Sequence, residues 1–238
     1  MKIVDYTGGK IFSLKPDGSG KLYNDYLIAS RRVTVPFPIN YYSNCVYTLG
    51  ARRYLFLGRR PDGPYEVLTA RRFKDSLEIK EVRPVIADKS HADWTLNQGT
   101  LLFNPRLNRA CYAFWLFPEM QFFDIGRPAT ATCVFRSKEQ CPKLRIGADV
   151  WDINPNYFYR AVATDSCVYA LYQGRKSNEA MRLARQGSFA SIVVRMDWDG
   201  NVLGAYQLDG YAQCIAVSDD DSIMVTFSGH EFKLYRLP

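Results

Sequence analysis

Arg53-Tyr54-Leu55-Phe56-Leu57, Cys111-Tyr112-Ala113-Phe114-Trp115, Val168-Tyr169-Ala170-Leu171-Tyr172 and Ile223-Met224-Val225-Thr226-Phe227 are four versions of one pattern. Aligning Tyr54, Tyr112, Tyr169 and Met224 spaces them 58, 57 and 55 residues apart. Each run is aromatic, β-branched or aliphatic and too short for a helix. A second apolar run precedes each one: Val46–Leu49, Thr100–Phe103, Arg160–Ala163 and Cys214–Val217. A self-similar unit of roughly 55 residues made only of strands points to the blade of a β-propeller, four antiparallel strands running from the inside outward. The expected fold class is therefore all-β, a single β-propeller domain over 1–238 with about five blades visible.

The unit at 150–208 shows the four strands most clearly, as Tyr159–Thr164, Cys167–Tyr172, Ser191–Asp197 and Val202–Leu208. Asp199-Gly200 joins the last two and reads as a type I′ hairpin turn; Asp17-Gly18 and Asp62-Gly63 give similar turn signals. The same scheme yields a unit at 39–86 (Cys45–Leu49, Tyr54–Gly58, Tyr65–Thr69, Leu77–Val82). It yields another at 94–136 (Thr100–Phe103, Ala110–Leu116, Met120–Ile125, Ala131–Phe135). An insertion from Gly174 to Gly187 holds the one segment of helix-forming composition, Asn178–Arg185. The units at 1–38 and 211–238 are short. Lys2–Tyr6, Lys10–Leu14 and Leu22–Ile28 read as second, third and fourth strands; Cys214–Val217, Ile223–Phe227 and Glu231–Leu237 read as first, second and third. An open ring leaves unpaired edges, and neither end supplies the strand the other lacks. The expectation is an N-terminally truncated six-bladed propeller.

Composition narrows the function classes. Of 238 residues 47% are hydrophobic and 14% aromatic, with 16 Tyr and 14 Phe, a bias that suits pleated, half-buried surfaces. No run of about 18 apolar residues could span a membrane as a helix, and Met1–Tyr6 lacks the apolar stretch of a signal peptide. The net charge of +7 comes largely from the pairs Arg31-Arg32, Arg52-Arg53, Arg59-Arg60 and Arg71-Arg72. With no run of five like charges and no recognition motif, these read as solvated blade edges, and no nucleic-acid partner is expected. Cys45, Cys111, Cys133, Cys167 and Cys214 lie in apolar runs and read as small hydrophobic filler. With Cys141 they make six cysteines without a C-x-x-C, and one disulfide stays open.

Three stretches carry a family likeness. They are Gly99–Pro105 followed by Ala110–Phe114, the segment Ala163–Arg175 containing Val168-Tyr169-Ala170-Leu171-Tyr172, and Val193–Asn201 followed by Tyr206–Asp209. Together they resemble the TolB-like six-bladed propeller family of Bacteroidota, well from about residue 95 onward and faintly before. The resemblance implies export to the cell envelope or periplasm and supplies no catalytic residue. The chain departs from the family in lacking an N-terminal export segment and about one blade of length.

Chemistry is sparse. Ser90-His91-Ala92-Asp93 holds the residue types of a hydrolase triad but too close in sequence for triad geometry, and His230 reads as part of a turn. Asp219-Asp220-Asp221 lacks the alternating ligands and distal Glu of a calcium loop, and Asp197 and Asp199 are expected to face solvent beside their turn. No catalytic residue, metal ligand or cofactor is assigned. What remains is positional: ligands meet a propeller at one mouth of its channel, near the starts of the inner strands. Asn97, Gln98, Thr100, Tyr159, Arg160, Tyr211 and Gln213 fall there, and Asn97, Gln98, Tyr159, Arg160, Tyr211 and Gln213 are the candidate binding residues. The expected function is a monomeric, non-enzymatic scaffold that presents these loops to a protein, peptide or glycan. The alternative is a hydrolase or lyase using polar groups that line the channel.

Overall fold

The computed structural model describes residues 2–5, 10–14, 22–27, 46–59, 63–73, 76–87, 93–126, 133–136, 143–147, 149–229 and 231–238. The chain is all-β, built from antiparallel meanders that are the blades of a β-propeller. It forms two compact units, Met1–Ile86 and Ala87–Pro238.

Among the described residues the first unit holds two sheets. Sheet I is β1 (Lys2–Asp5), β2 (Lys10–Leu14) and β3 (Leu22–Leu27); sheet II is β4 (Val46–Thr48), β5 (Arg53–Arg59), β6 (Tyr65–Phe73) and β7 (Ser76–Pro84), each in chain order. Strand β1 lies beside β4, first strand against first strand. That is the inner position, so the reading of Lys2–Tyr6 as a second strand is corrected. In β5, Tyr54, Leu55, Phe56 and Leu57 are all buried. A strand with apolar neighbours on both faces shows no polar alternation, which is why it reads as a continuous hydrophobic run.

Among the described residues the second unit holds three sheets. Sheet III is β8 (Gly99–Asn104), β9 (Arg109–Phe114), β10 (Glu119–Asp124) and β11 (Cys133–Arg136). Sheet IV is β12 (Asn156–Ala163), β13 (Cys167–Arg175), β14 (Ile192–Asp197) and β15 (Val202–Gln207). Sheet V is β16 (Cys214–Val217), β17 (Ile223–Phe227) and β18 (Phe232–Arg236). First strands again neighbour one another, β8 with β12 and β12 with β16. The layer between sheets III and IV is filled by Leu102, Cys111, Met120 and Phe122 against Phe158, Val168, Ala170 and Met196. Tyr169, Leu171 and Val193 pack against Ile215 and Met224 between sheets IV and V.

Among the described residues two helices accompany these sheets. The expected helix in the Gly174–Gly187 insertion is α2, Ser177–Arg185. It stops at Gly187, whose φ of 67° suits glycine. There Ser188 N–H reaches Leu183 O at 2.9 Å and Gly187 N–H reaches Ala184 O at 3.0 Å, the Schellman pattern that satisfies the last carbonyls. The other helix is α1, Val150–Ile153. Four residues carry no amphipathic period, so this helix has no signature in the sequence.

The turns that follow β8 and β12 carry the same clamp. Asn104 Oδ1 accepts the N–H groups of Arg106 and Leu107, while its Nδ2 donates to Asp165 O of the next sheet at 2.7 Å. Thr164 Oγ1 accepts from the Ser166 and Cys167 N–H groups and donates to Asp221 Oδ1 of sheet V at 2.8 Å. One short polar side chain thus caps its own turn and ties that turn to the following blade.

These turns also fix the true repeat. The residues that open the second strands are Arg53, Arg109, Cys167 and Ile223, spaced 56, 58 and 56 apart. Counted from them, Tyr112 is one residue further along than Tyr169. Accordingly Tyr169 faces sheet V with Cys167 and Leu171, whereas Cys111 and Ala113, not Tyr112, face sheet IV. The alignment is corrected: Tyr112 stands level with Ala170, and Tyr54 and Met224, each one residue past its marker, stand level with Val168.

The Asp199-Gly200 hairpin also differs from expectation. Asp197 pairs with Asn201 (N–H to O, 3.0 Å), and Gly200 N–H bonds Asp197 O at 3.2 Å. Of the two central residues only Gly200 has positive φ, 85°. This is a three-residue loop with glycine in the left-handed position rather than a type I′ turn. Within this loop Trp198 turns inward and is 3% exposed. Asp17-Gly18, Asp62, His91, His230, Cys45 and Cys141 lie outside the described residues.

Candidate functional site

At the starts of β12 and β16 the second unit opens a cleft of about 470 Å³. Four of the six candidate residues line it: Tyr159 and Arg160 from β12, and Tyr211 and Gln213 from the segment leading into β16. The rest of the lining comes from Trp115, Trp151, Asn156, Ser177 and Cys214. Asn97 and Gln98 are not brought into it. Asn97 is fully buried and works as a staple, accepting Ala87 N–H at 3.0 Å and donating to Asp93 O at 2.9 Å. Gln98 Nε2 donates to Thr95 O.

Each wall has a traceable origin. Trp115 follows β9, and its indole N–H donates to Thr100 Oγ1 at 3.0 Å, which leaves the ring to act through its face. Trp151 sits on α1 and leans on Trp115, with centroids 4.9 Å apart and planes at 51°. The segment carrying Trp151 is pinned by Asn154, which accepts Arg145 N–H (2.8 Å) and donates to Arg145 O and Val150 O. Asp152 Oδ1 takes the Asn178 N–H, joining α1 to α2. Asn156 Nδ2 donates to Trp151 O at 2.8 Å and to Ser177 Oγ at 3.1 Å.

The phenols are held neutral. Tyr159 donates to Ala212 O, with Ser191 Oγ at 3.5 Å, while Ser191 Oγ also accepts Ala212 N–H. Burial drives the Tyr159 pKa far above the ordinary phenol value, against the opposing pull of the Ser191 hydrogen bond and of Arg160. Burial also raises Tyr211, with Arg160 acting the other way. Arg160 is exposed, and Nη1 donates to the Tyr159 carbonyl at 3.0 Å. Among the described residues it has no carboxylate partner. Cys214, expected as buried filler, is exposed: it lies on the face of β16 opposite the buried Ile215. Cys111 and Cys167 are buried, as the filler reading expects, and Cys167 Sγ also accepts from Arg195 Nε at 3.3 Å.

The acidic clusters serve turns. Asp197 Oδ1 accepts the N–H groups of Asp199 and Asn201. Burial there works to raise its pKa, but these bonds and the Asn201 side chain outweigh it and the net shift is downward. Asp199 pairs with Arg109, whose Nε also meets Asp124 at 3.0 Å. Asp220 accepts the Ser218 and Ser222 hydroxyls and the Ser222 N–H. The Ser218 and Ser222 hydroxyls hold its pKa down to about 2. An unfolded Asp titrates near 3.9, so this turn's contribution is present above about pH 4 and lost as pH falls toward 2. Asp220→Asn is therefore expected to reduce the slope of urea midpoint against pH between about 4 and 2. An unchanged slope counts against this role for the turn. Among the described residues no group of three or more His, Cys, Asp or Glu is placed to hold a metal ion, and no helix is long and apolar enough to cross a membrane.

No family model matches the chain, and no curated protein matches it. Solved structures do. A 6-phosphogluconolactonase-like protein of Bacteroides fragilis aligns with TM-score 0.56 at 12% identity, covering 100% of this chain and 63% of its own. A DUF4221-family member from Bacteroides vulgatus aligns with TM-score 0.58 at 10% identity, covering 99% and 75%. A protein from Lactobacillus plantarum aligns with TM-score 0.53 at 15% identity, covering 99% and 63%. At such identities the likeness is one of fold, and the chain spans under two thirds of the length of the first and third.

Proposed function

We propose that this chain is a non-enzymatic propeller that uses the Trp151–Tyr211 cleft to hold a glycan, peptide or protein partner. We place it in the TolB-like six-bladed family, as an exported envelope protein of Bacteroidota. The observation that carries the binding reading is the lining itself. It has two indoles in fixed contact, a guanidinium, amides and hydroxyls, and among its described residues no carboxylate or imidazole. Tyr159 and Tyr211 are pushed away from ionisation, so neither is poised as a general base near neutral pH. The TolB-like motifs at 163–175 and 193–209 support the family placement, as do two fold neighbours from Bacteroides.

The test is a screen of the purified chain against glycan and peptide arrays, followed by calorimetry on any hit. Trp151→Ala is expected to weaken the bound class by about tenfold or more, since buried aromatic anchors dominate recognition. Turnover of glycoside, ester or polyuronate substrates that disappears in Tyr159→Phe would instead establish the hydrolase or lyase reading.

A further inference from the structure

We propose that the cleft is a seat for an acidic saccharide: one uronate ring lying against the Trp151 indole, with its carboxylate on Arg160 and a ring hydroxyl donating to Asn156 Oδ1. This rests on the binding reading above and names its ligand class.

Asn156 sets the first requirement. Its side chain is almost wholly buried, 1% exposed. Its amide orientation is fixed, because Nδ2 donates to the Trp151 and Asn154 carbonyls and to Ser177 Oγ. A flipped amide would set oxygen against those two carbonyls. Oδ1 has no partner although it is buried, and the residue lines the cleft. An acceptor in that position calls for a hydroxyl or N–H and rejects an anionic group.

Arg160 sets the second. Its guanidinium is exposed on the cleft rim with a single bond to the Tyr159 carbonyl. A guanidinium fork matches a carboxylate in two parallel bonds. The neighbouring phenols stay neutral, so no fixed anion in the lining competes for it. The net charge of +7 favours a polyanion at long range.

The indoles set the third. Their 4.9 Å separation leaves no room for a ligand between them, so a ligand lies against the wall they make. The negative π face of an indole suits the partly positive C–H face of a flat saturated ring. One rigid body that carries a hydroxyl donor, a carboxylate and a flat C–H face is a uronate ring. A neutral hexose leaves Arg160 unmatched, and an extended peptide offers the anion and donor without the flat face. The volume of about 470 Å³ lies in the range of roughly 300–1,000 Å³ usual for small-ligand sites.

The experiment is calorimetric titration of the full chain with a uronic-acid trisaccharide, its methyl ester and the matching neutral hexose trisaccharide. The expected result is binding of the acid, with esterification or Arg160→Gln each costing about tenfold in Kd. Affinity for the acid should fall with added salt in the wild type and less steeply in Arg160→Gln. Arg160 is exposed, so the variant should fold as the parent does. Equal binding of acid and neutral sugars, or no effect of Arg160→Gln, overturns the uronate assignment while the binding reading stands. Binding confined to a peptide array does the same. Failure of every glycan, peptide and protein class to bind overturns both.

Discussion

Trp198→Ala is expected to destabilise the Ala87–Pro238 unit by about 3–5 kcal/mol. Trp198 is 3% exposed and belongs to the layer between sheets III and IV, with Met196 and Phe158 among its cluster. Truncation to alanine leaves a cavity that the two sheets can close only by shifting. The indole N–H also donates to Thr164 O at 3.1 Å, and Thr164 caps the β12–β13 turn and reaches Asp221 of sheet V. On the opposite side the Trp198 carbonyl accepts from Arg109 of sheet III at 2.9 Å. The loss should therefore spread to both neighbouring sheets. Trp198→Phe keeps most of the volume and forfeits the hydrogen bond, at about 1–3 kcal/mol. All four tryptophans of the chain, Trp94, Trp115, Trp151 and Trp198, lie in this unit. Urea unfolding followed by the fluorescence of the remaining three reports on it directly. A loss under about 1 kcal/mol for Trp198→Ala would mean the loop packs elsewhere.

The same tryptophan shows where sequence reasoning stopped. Asp197-Trp198-Asp199 reads as a polar turn with its carboxylates outward, and Asp199 is indeed exposed. Nothing local, however, tells that the intervening indole folds back under the sheet. The strands themselves were legible, because burial on two faces leaves long apolar runs bounded by turn residues. That very continuity hid the register: with no polar alternation, a one-residue slip between Tyr112 and Tyr169 leaves no mark in the sequence. In the cleft, position along the first strands located Tyr159, Arg160, Tyr211 and Gln213. The same argument also admitted Asn97 and Gln98, whose amides are taken by backbone groups of their own turn and, for Asn97, of Ala87. Trp151 was missed because a four-residue helix has no period to read, and Asn156 because the inner strand was read from Tyr159 whereas β12 begins at Asn156. Trp115 was in view throughout as the last residue of a repeat motif. Its place just beyond β9, where the chain turns at the strand end, was the available signal.

Tyr112→Ala is the second large effect, again about 3–5 kcal/mol. The ring is fully buried, meets Phe114 edge-on with centroids 4.8 Å apart, and its hydroxyl donates to Asn97 O at 2.9 Å. Tyr112→Phe isolates the hydroxyl and should cost about 1–3 kcal/mol. The ring occupies space that Gly99 provides: a Cβ at position 99 would fall 2.6 Å from Tyr112 Cε1 and would also meet the Ala113 carbonyl. Gly99→Ala alone is therefore expected to cost about 1–3 kcal/mol by overpacking. Combining it with Tyr112→Ala separates the two clashes. Removing the ring relieves one and leaves the backbone carbonyl, so the double variant should lose measurably less than the sum of the singles, with a coupling of about 0.5–3 kcal/mol. Strict additivity in urea midpoints would show that the carbonyl alone keeps residue 99 a glycine. Full cancellation of the Gly99→Ala cost would show that the ring alone does.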